Sequence, residues 1–514
     1  MADSKREIER KYEATVDTRL PELTRVAGVA AVDHRGVMEL DAVYYDTEDQ
    51  RLAADSLTLR RRTGGDDEGW HLKFPVASGI RDEIRAPLSD TLPGSLAALL
   101  RSRVRETELV PVVRLLSSRD VHHLLGPDGS LLAELSVDEV RAVRLAGGSG
   151  TAAWTEIEVE LADDGDPAFL DAVEHRLGKA GVRPSASASK LARALSETAP
   201  GSKTAPKKKQ RTAKKAAPRP RTAGDHVMAY VRDQITAVVA LDPAVRRDLP
   251  DSVHQMRVAT RRLRSAFRTY RKILDRTVTD PVGDELKWLA AELGIDRDQE
   301  VLDERLRAAI ADLPRTLVLG PVRGRLRIWS VARRQGSRRR TVGVLDGKRY
   351  LALLERLDAL RAAPPLLPAA AEAPEDALPR AVLRDYERLA TRIGHALALR
   401  PGPDRDLAMH DARKAAKRAR YAGEAATAAL GRPAKKFARR MKAVQTLLGD
   451  HQDSVVARDA LRTLAAQAHA AGETAFTWGL LYGHEEATAT AREQELPEVW
   501  ERASRPKLRA ALEG

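Results

Sequence analysis

Glu7, Glu9 and Lys11 alternate in the segment EIERK. Side chains two apart on an extended strand share a face, so two carboxylates and an ammonium would stand together there. Such a carboxylate pair can hold a hard divalent cation, and the neighbouring lysine can grip an anion shared with it. Other alternating segments offer similar rows: Arg60 and Arg62 in LTLRRR, His71 and Lys73 in GWHLKF, and Arg81, Glu83 and Arg85 in IRDEIRA. Glu134, Ser136 and Asp138 in LLAELSVDEV, and Glu156, Glu158 and Glu160 in WTEIEVEL, continue the pattern. The opposite rows are apolar, with Leu57 and Leu59, Leu72 and Phe74, Leu135 and Val137, and Ile157, Val159 and Leu161. Two architectures satisfy this alternation. A sandwich buries the apolar rows and leaves the charged ones in solvent, whereas a barrel turns the apolar rows outward under covering helices and lines its lumen with ions. The segments LPGSLAALLRSRV and DPAFLDAVEHRLGKAG, the latter with Phe169, Leu170, Val173 and Leu177 at helical spacing, could supply such a cover.

A second constellation lies further along. DSVHQMRVATRRLRSAFRTYRKIL has helical periodicity, and His254, Arg257, Arg261 and Arg264 fall within about 80° of helical arc. The pattern returns 156 residues later as His410, Arg413, Lys417 and Arg420. Four chargeable groups on one stripe repel one another, and either acids from neighbouring helices or a bound anion would relieve the repulsion. Recurrence in both halves of a repeat favours the anion. Arg262, Arg418, Lys287 and Lys442 also match between the halves and stand behind these eight. Neither histidine has a second histidine or a carboxylate three or four residues on, so a metal is the poorer ligand. Downstream, LGIDRDQEV and LGDHQDSVV read as structural turns, with Asp298 and Asp453 as partners for nearby arginines.

These elements need more than one core, since 514 residues far exceed the roughly 150 of a typical domain. With 5 Phe, 9 Tyr and 6 Trp, the cores must be built from Ala, Leu and Val. The absence of cysteine excludes disulfides, thiolate nucleophiles, zinc–thiolate sites and iron–sulfur ligation. No signal-like apolar region opens the chain and no run of about 18 apolar residues occurs, so the expectation is a cytoplasmic protein with no membrane association. The net charge of +13 is uneven: residues 1–199 carry 26 basic against 35 acidic residues, and residues 200–224 carry 9 basic and none acidic. That second segment, which includes KKKQRTAKK, reads as a basic disordered linker between a strand domain (1–199) and a helical domain (225–514, repeats about 225–370 and 380–514). Nucleic acid is expected as a partner only through this linker, because the helical half has few aromatics for base stacking.

EIERK with YYDT, LRRR, HLK, AELSVDEV, EIEVEL and SASASKLARAL resembles the CYTH domain of the triphosphate tunnel metalloenzymes. The resemblance implies an α+β domain with an eight-stranded antiparallel tunnel, covering helices, and hydrolysis of inorganic triphosphate or a related phosphoanhydride with Mg2+ or Mn2+. It implies metal ligation by Glu7, Glu9, Asp138, Glu156 and Glu158. Triphosphate would be bound by Lys11, Arg60, Arg62, Lys73, Arg81, Arg119 and Lys190, with Lys73 positioning the attacking water and Lys11 also catalytic. His71 reads as a bystander, and Glu160 ranks below the other carboxylates. The paired HxxRxxx[RK]RxR elements and LG segments resemble the conserved-histidine α-helical (CHAD) domain, which implies two pseudo-symmetric four-helix bundles binding inorganic polyphosphate through the eight stripe residues. Two alternatives remain: a non-catalytic protein that localises to polyphosphate, and adenylate cyclase-like use of the tunnel.

Overall fold

The computed structural model describes residues 3–200, 220–334 and 337–513, which form two compact units. Most of the expected basic linker, residues 201–219, lies outside the described residues. The first unit contains the antiparallel strands β1 (Asp3–Ala14), β2 (Ala31–Asp46), β3 (Thr58–Thr63), β4 (Gly69–Ala77), β5 (Ile80–Ala86), β6 (Val110–Leu125), β7 (Leu131–Arg144) and β8 (Thr151–Leu161). Their order is β5-β4-β3-β2-β6-β7-β8-β1, and β1 pairs again with β5 to close an eight-stranded barrel. The closure divides β1: Asp3–Ile8 pairs with β5 and Glu9–Ala14 pairs with β8. A two-residue strand, β9 (Arg183–Pro184), attaches to the end of β1.

Closure turns the ionisable rows inward and the apolar rows outward, and helices cover the outside as expected. Leu96, Leu99 and Leu100 of the helix Gly94–Val104 pack on Leu57, Leu59, Leu72 and Ile84. Leu170, Val173 and Leu177 of the helix Ala168–Lys179 pack on Leu135, Ile157 and Val159. A third helix, Lys190–Glu197, packs instead on the inward rows: Leu191 and Ala194 meet Val113, Leu115 and Val140, which share a face with Arg119 and Asp138, and Leu191 also lines the lumen. Seven strands are legible from alternation and β6 is obscured. In VPVVRLLSSRDVHHLL, apolar and polar residues come in doublets that mask the period of two, although the strand is 16 residues long.

The second unit is all helical among its described residues, apart from one isolated β-bridge between Leu274 and Leu366. Its first helix begins at Ala223, inside the segment read as linker, because Thr222 and Asp225 form a reciprocal capping box. The first repeat contains the helices Ala223–Arg246, Ser252–Thr269, Arg276–Glu292, Gly294–Asp312, Val322–Arg334, Ser337–Asp346 and Lys348–Ala362. The second contains Pro374–Ala398, Pro403–Leu430, Arg432–Ala470, Phe476–Ala503 and Pro506–Glu513. The apolar cores do not divide as one bundle per repeat. One core pools Val231, Ile235 and Leu263 of the first repeat with Leu389, Met409 and Met441 of the second. Another joins Leu306 and Trp329 to Leu461 and Trp478.

Of the two expected LG turns, the first is a one-residue break between helices, at Leu293, and the second is not a turn at all. Gly449 lies inside the unbroken helix Arg432–Ala470, and Gly294 opens the helix Gly294–Asp312 after a single intervening residue, Leu293. Leu293 and Leu448 are fully buried, so the apolar half of each motif anchors a helix rather than reversing the chain.

Candidate functional sites in the barrel and the helical unit

Parity along the strands decides which charged side chains enter the lumen. Arg60 and Arg62 line the cavity, whereas Arg61 between them points outward, donating to the Ser89 carbonyl at 3.0 Å. On β6, Arg119 is inside, and Arg114 lies on the surface bonded to Asp41 at 2.9 and 2.5 Å. The cavity encloses about 320 Å³ and is lined by Glu7, Glu9, Lys11, Arg60, Arg62, Lys73, Arg81, Arg119, Glu158 and Lys190, among others.

At one wall Asp138, Glu156 and Glu158 bring one oxygen each within 4.8 Å of the others. Lys190, the first residue of the helix Lys190–Glu197, reaches all three, at 2.8, 2.9 and 2.5 Å respectively. Its aim is set by the N-cap, since Ser189 accepts a hydrogen bond from the Ala192 amide. Arg119 donates to Asp138 through Nε and Nη2, both at 2.7 Å, and to Glu158 at 2.7 Å. Lys11 bonds to Glu158 and, at 2.9 Å, to Glu9. Asp138 and Glu156 sit behind these cations, out of the cavity surface.

The second group of ions surrounds Lys73, whose Nζ is 2.6 Å from both Glu7 oxygens and 3.5 Å from Glu83. Glu83 is buried and also meets His71 Nδ1 at 2.9 Å, Arg85 at 2.6 Å and Arg60 at 3.9 Å. Arg60 donates to the Tyr44 hydroxyl at 3.5 Å, Arg62 to the Asp67 carbonyl at 3.1 Å, and Arg81 to the Ala188 carbonyl at 2.7 Å. The five carboxylates read as metal ligands therefore do not form one cluster. Asp138, Glu156 and Glu158 converge, Glu9 joins Glu158 through Lys11, and Glu7 belongs with Lys73. Glu160 is turned to Lys5 at 2.7 Å.

Titration follows this arrangement. Burial raises the Glu158 and Asp138 carboxyls, but Lys11, Lys190 and Arg119 around Glu158, and Arg119 and Lys190 around Asp138, outweigh it and hold both below the usual carboxylate range. The converse holds for Lys190: burial lowers it, yet Asp138, Glu158 and Glu156 keep it above the ordinary lysine value. Arg62, buried beside Arg60 and Arg119, is pushed down to about 9. His71 is pushed down to about 4, chiefly by burial, despite its bond to Glu83. The histidine read as a bystander is thus a buried support that holds Glu83. Glu83 itself, Tyr44 and Lys5 also face the cavity. Glu83 was legible in its inward row between two arginines, and Tyr44 was obscured because Tyr45 beside it points outward against Trp70.

In the helical unit the two stripes face each other. Burial first, and then the charges of Arg413, Arg261 and Arg257, depress Lys417 to about 8. The expected acid partners hold: Arg257 meets Asp298 at 2.9 and 3.1 Å, and Arg413 meets Asp453 at 3.6 Å. Glu424 ties the repeats together, 3.1 Å from Arg262 and 2.6 Å from Arg420. Arg261, Arg264 and Lys417 make no ion pair among the described residues, and the Nε–H groups of Arg257, Arg261, Arg264 and Arg413 are buried without an acceptor. His410 is shifted down, by burial first and then by Lys414 and Arg413.

A closed antiparallel barrel with an ionic lumen, joined in one chain to an all-helical unit, defines a two-domain protein of the tunnel class. The chain belongs to the CYTH and CHAD families: the CYTH domain model matches residues 5–195 and the CHAD domain model residues 229–462. An uncharacterised protein of Mycobacterium tuberculosis is 38% identical over 497 residues, covering 93% of this chain and 92% of its own. Among solved structures, the CHAD domain from the plant Ricinus communis is 23% identical, with a TM-score of 0.43, over 57% of this chain and 92% of its own. A putative adenylyl cyclase from Hippeastrum, described as having a dominant triphosphatase activity, is 20% identical, with a TM-score of 0.23, over 37% of this chain and 96% of its own. No helix among the described residues is long and apolar enough to cross a membrane.

Proposed function

We propose that the barrel hydrolyses inorganic triphosphate, or a phosphoanhydride of similar length, with a divalent metal, and that the helical unit binds inorganic polyphosphate. The observation that carries the reading is the shared use of cations in the lumen: Lys11, Arg119 and Lys190 each bond to carboxylates that also suit a metal. Asp138, Glu156 and Glu158 converge with oxygen donors only, the set a hard cation such as Mg2+ or Mn2+ prefers. When bound, such a cation neutralises phosphate charge and makes its water more acidic.

The chain's own residues supply the remainder. Arg60, Arg62, Arg81 and Arg119 line the cavity as donors for phosphate oxygens, with Arg60 and Arg119 held fully charged. Lys11 and Lys190 would exchange carboxylate for phosphate oxygens as substrate enters. Lys73, held between Glu7 and Glu83, is the group assigned to position the attacking water. In the helical unit, a polyphosphate chain would supply the acceptors that the buried arginine Nε–H groups lack.

Phosphate release from triphosphate with Mg2+ or Mn2+ tests the first half: Glu158→Gln is expected to lower the rate by about 100-fold or more. Equal rates would reject catalysis in the barrel. Competition at fixed salt tests the second half, where polyphosphate should displace DNA at far lower phosphate concentration than the reverse. The opposite order would reject the polyphosphate reading.

A further inference from the structure

On the outer wall of the barrel, His34 of β2 lies directly opposite His122 of β6 in the strand register. Both imidazoles address one carboxylate. His34 Nε2 is 2.5 Å from Asp120 Oδ1, and His122 Nε2 is 3.2 Å from Asp120 Oδ2. The rings stack with centroids 5.0 Å apart, and one donor atom from each of the three residues falls within 4.8 Å of the others. Two imidazole nitrogens and a carboxylate oxygen form a ligand set suited to Zn2+ and its neighbours, and one that Mg2+ does not favour.

A backbone device produces this convergence. Met38, Leu40 and Tyr44 of β2 point into the lumen, so unbroken alternation would send His34 inward as well. A bulge between His34 and Gly36 reverses the parity, with Gly36 at φ +96°, a conformation open chiefly to glycine. Asp120 and His122, two apart on β6, already share the outer face, and the bulge adds the third ligand. His34 is 58% exposed and Asp120 38%, so an ion and a water can reach the site from solvent.

Charge points the same way. Among the described residues the ionic partners of Asp120 are these two histidines, with no Lys or Arg beside it. The other mixed cluster, Asp406, His451 and Glu493, differs in this respect. Arg458 stands 2.7 Å from Asp406 and Arg405 3.2 Å from Glu493, so its carboxylates are balanced without a metal.

We propose that His34, Asp120 and His122 form a second metal site, outside the tunnel, for a divalent transition metal of the Zn2+ class. The test is calorimetric titration of the full chain with Zn2+ in excess Mg2+, which occupies oxygen-only sites, combined with melting curves with and without Zn2+. One Zn2+ should bind and raise the melting temperature. His34→Ala and His122→Ala should each weaken binding by at least about tenfold and remove the thermal shift, and Asp120→Asn should weaken it too. Glu158→Gln should leave it intact. No Zn2+ binding in excess Mg2+, binding that survives both histidine substitutions, or binding lost only in Glu158→Gln would overturn the proposal.

Discussion

Arg257 lies across Gly294: a Cβ added at that glycine would stand 2.7 Å from Nη2 of the guanidinium, which also bonds to Asp298. The corresponding glycine of the second repeat, Gly449, leaves 3.6 Å to Arg413. The glycine therefore keeps a channel over the helix for an arginine of the stripe, and the channel is tighter in the first repeat.

Gly294→Ala is expected to fold with stability within about 1 kcal/mol of the parent, because the clash falls on the movable end of a side chain and alanine favours the helix. It should nevertheless push Arg257 out of place and weaken polyphosphate binding several-fold. Gly449→Ala should leave binding unchanged. Paired melting and polyphosphate-binding measurements on the two variants check the contrast, and equal losses of affinity would contradict it.

Arg60 and Arg61 are neighbours in sequence and stand on opposite sides of the wall. Arg60→Ala should lower triphosphate hydrolysis by about 100-fold or more. Arg61→Ala, which removes a partly exposed contact to Ser89 and Asp90, should cost at most about 1 kcal/mol of stability and spare the rate. Steady-state kinetics of both variants measure the difference, and a matching loss in Arg61→Ala would reject the assigned parity.

His71 carries a pH prediction. Its folded-state value is depressed from 6.5 to about 4, so below the unfolded value the unfolded chain binds the proton more readily. Its contribution is fully present above about pH 6.5 and is lost as the pH falls towards 4, an effect on the order of 3 kcal/mol. Melting curves of the parent should show this loss across that window, and His71→Gln should flatten it.

Lys417 titrates in the opposite sense on binding. Burial, with repulsion from Arg413, Arg261 and Arg257 added to it, holds it at about 8. A polyphosphate anion between the stripes would restore its proton, so binding above about pH 8 should take up protons from the buffer. Calorimetry in two buffers of different ionisation enthalpy reads that uptake directly. Lys417→Arg should abolish it, since a guanidinium stays charged throughout the range.

Much of both sites was legible before the fold. The repeat of His254, Arg257, Arg261 and Arg264 as His410, Arg413, Lys417 and Arg420 is a property of the sequence, as is the pairing of Glu156 with Glu158 on one face. The LG motifs were legible as packing elements, but the expected turn is a one-residue helix break in the first repeat and uninterrupted helix in the second. Leucine and glycine look alike at a helix end and at a close contact inside one, and only the arginine lying over Gly294 and Gly449 distinguishes the cases.

Side-chain alternation by itself determined which residues share a wall, and so selected Arg60 and Arg62 over Arg61, because the period of a strand is a local property of the backbone. Whether that wall faces solvent or a lumen was decided by tertiary structure, through the pairing of β1 with β5 and β8 across more than 70 residues of chain. The same is true of Glu83 meeting Lys73, of the stripes facing each other, and of His34 turning out to meet Asp120. Each depends on a distant segment or on a one-residue bulge, and no local pattern encodes either.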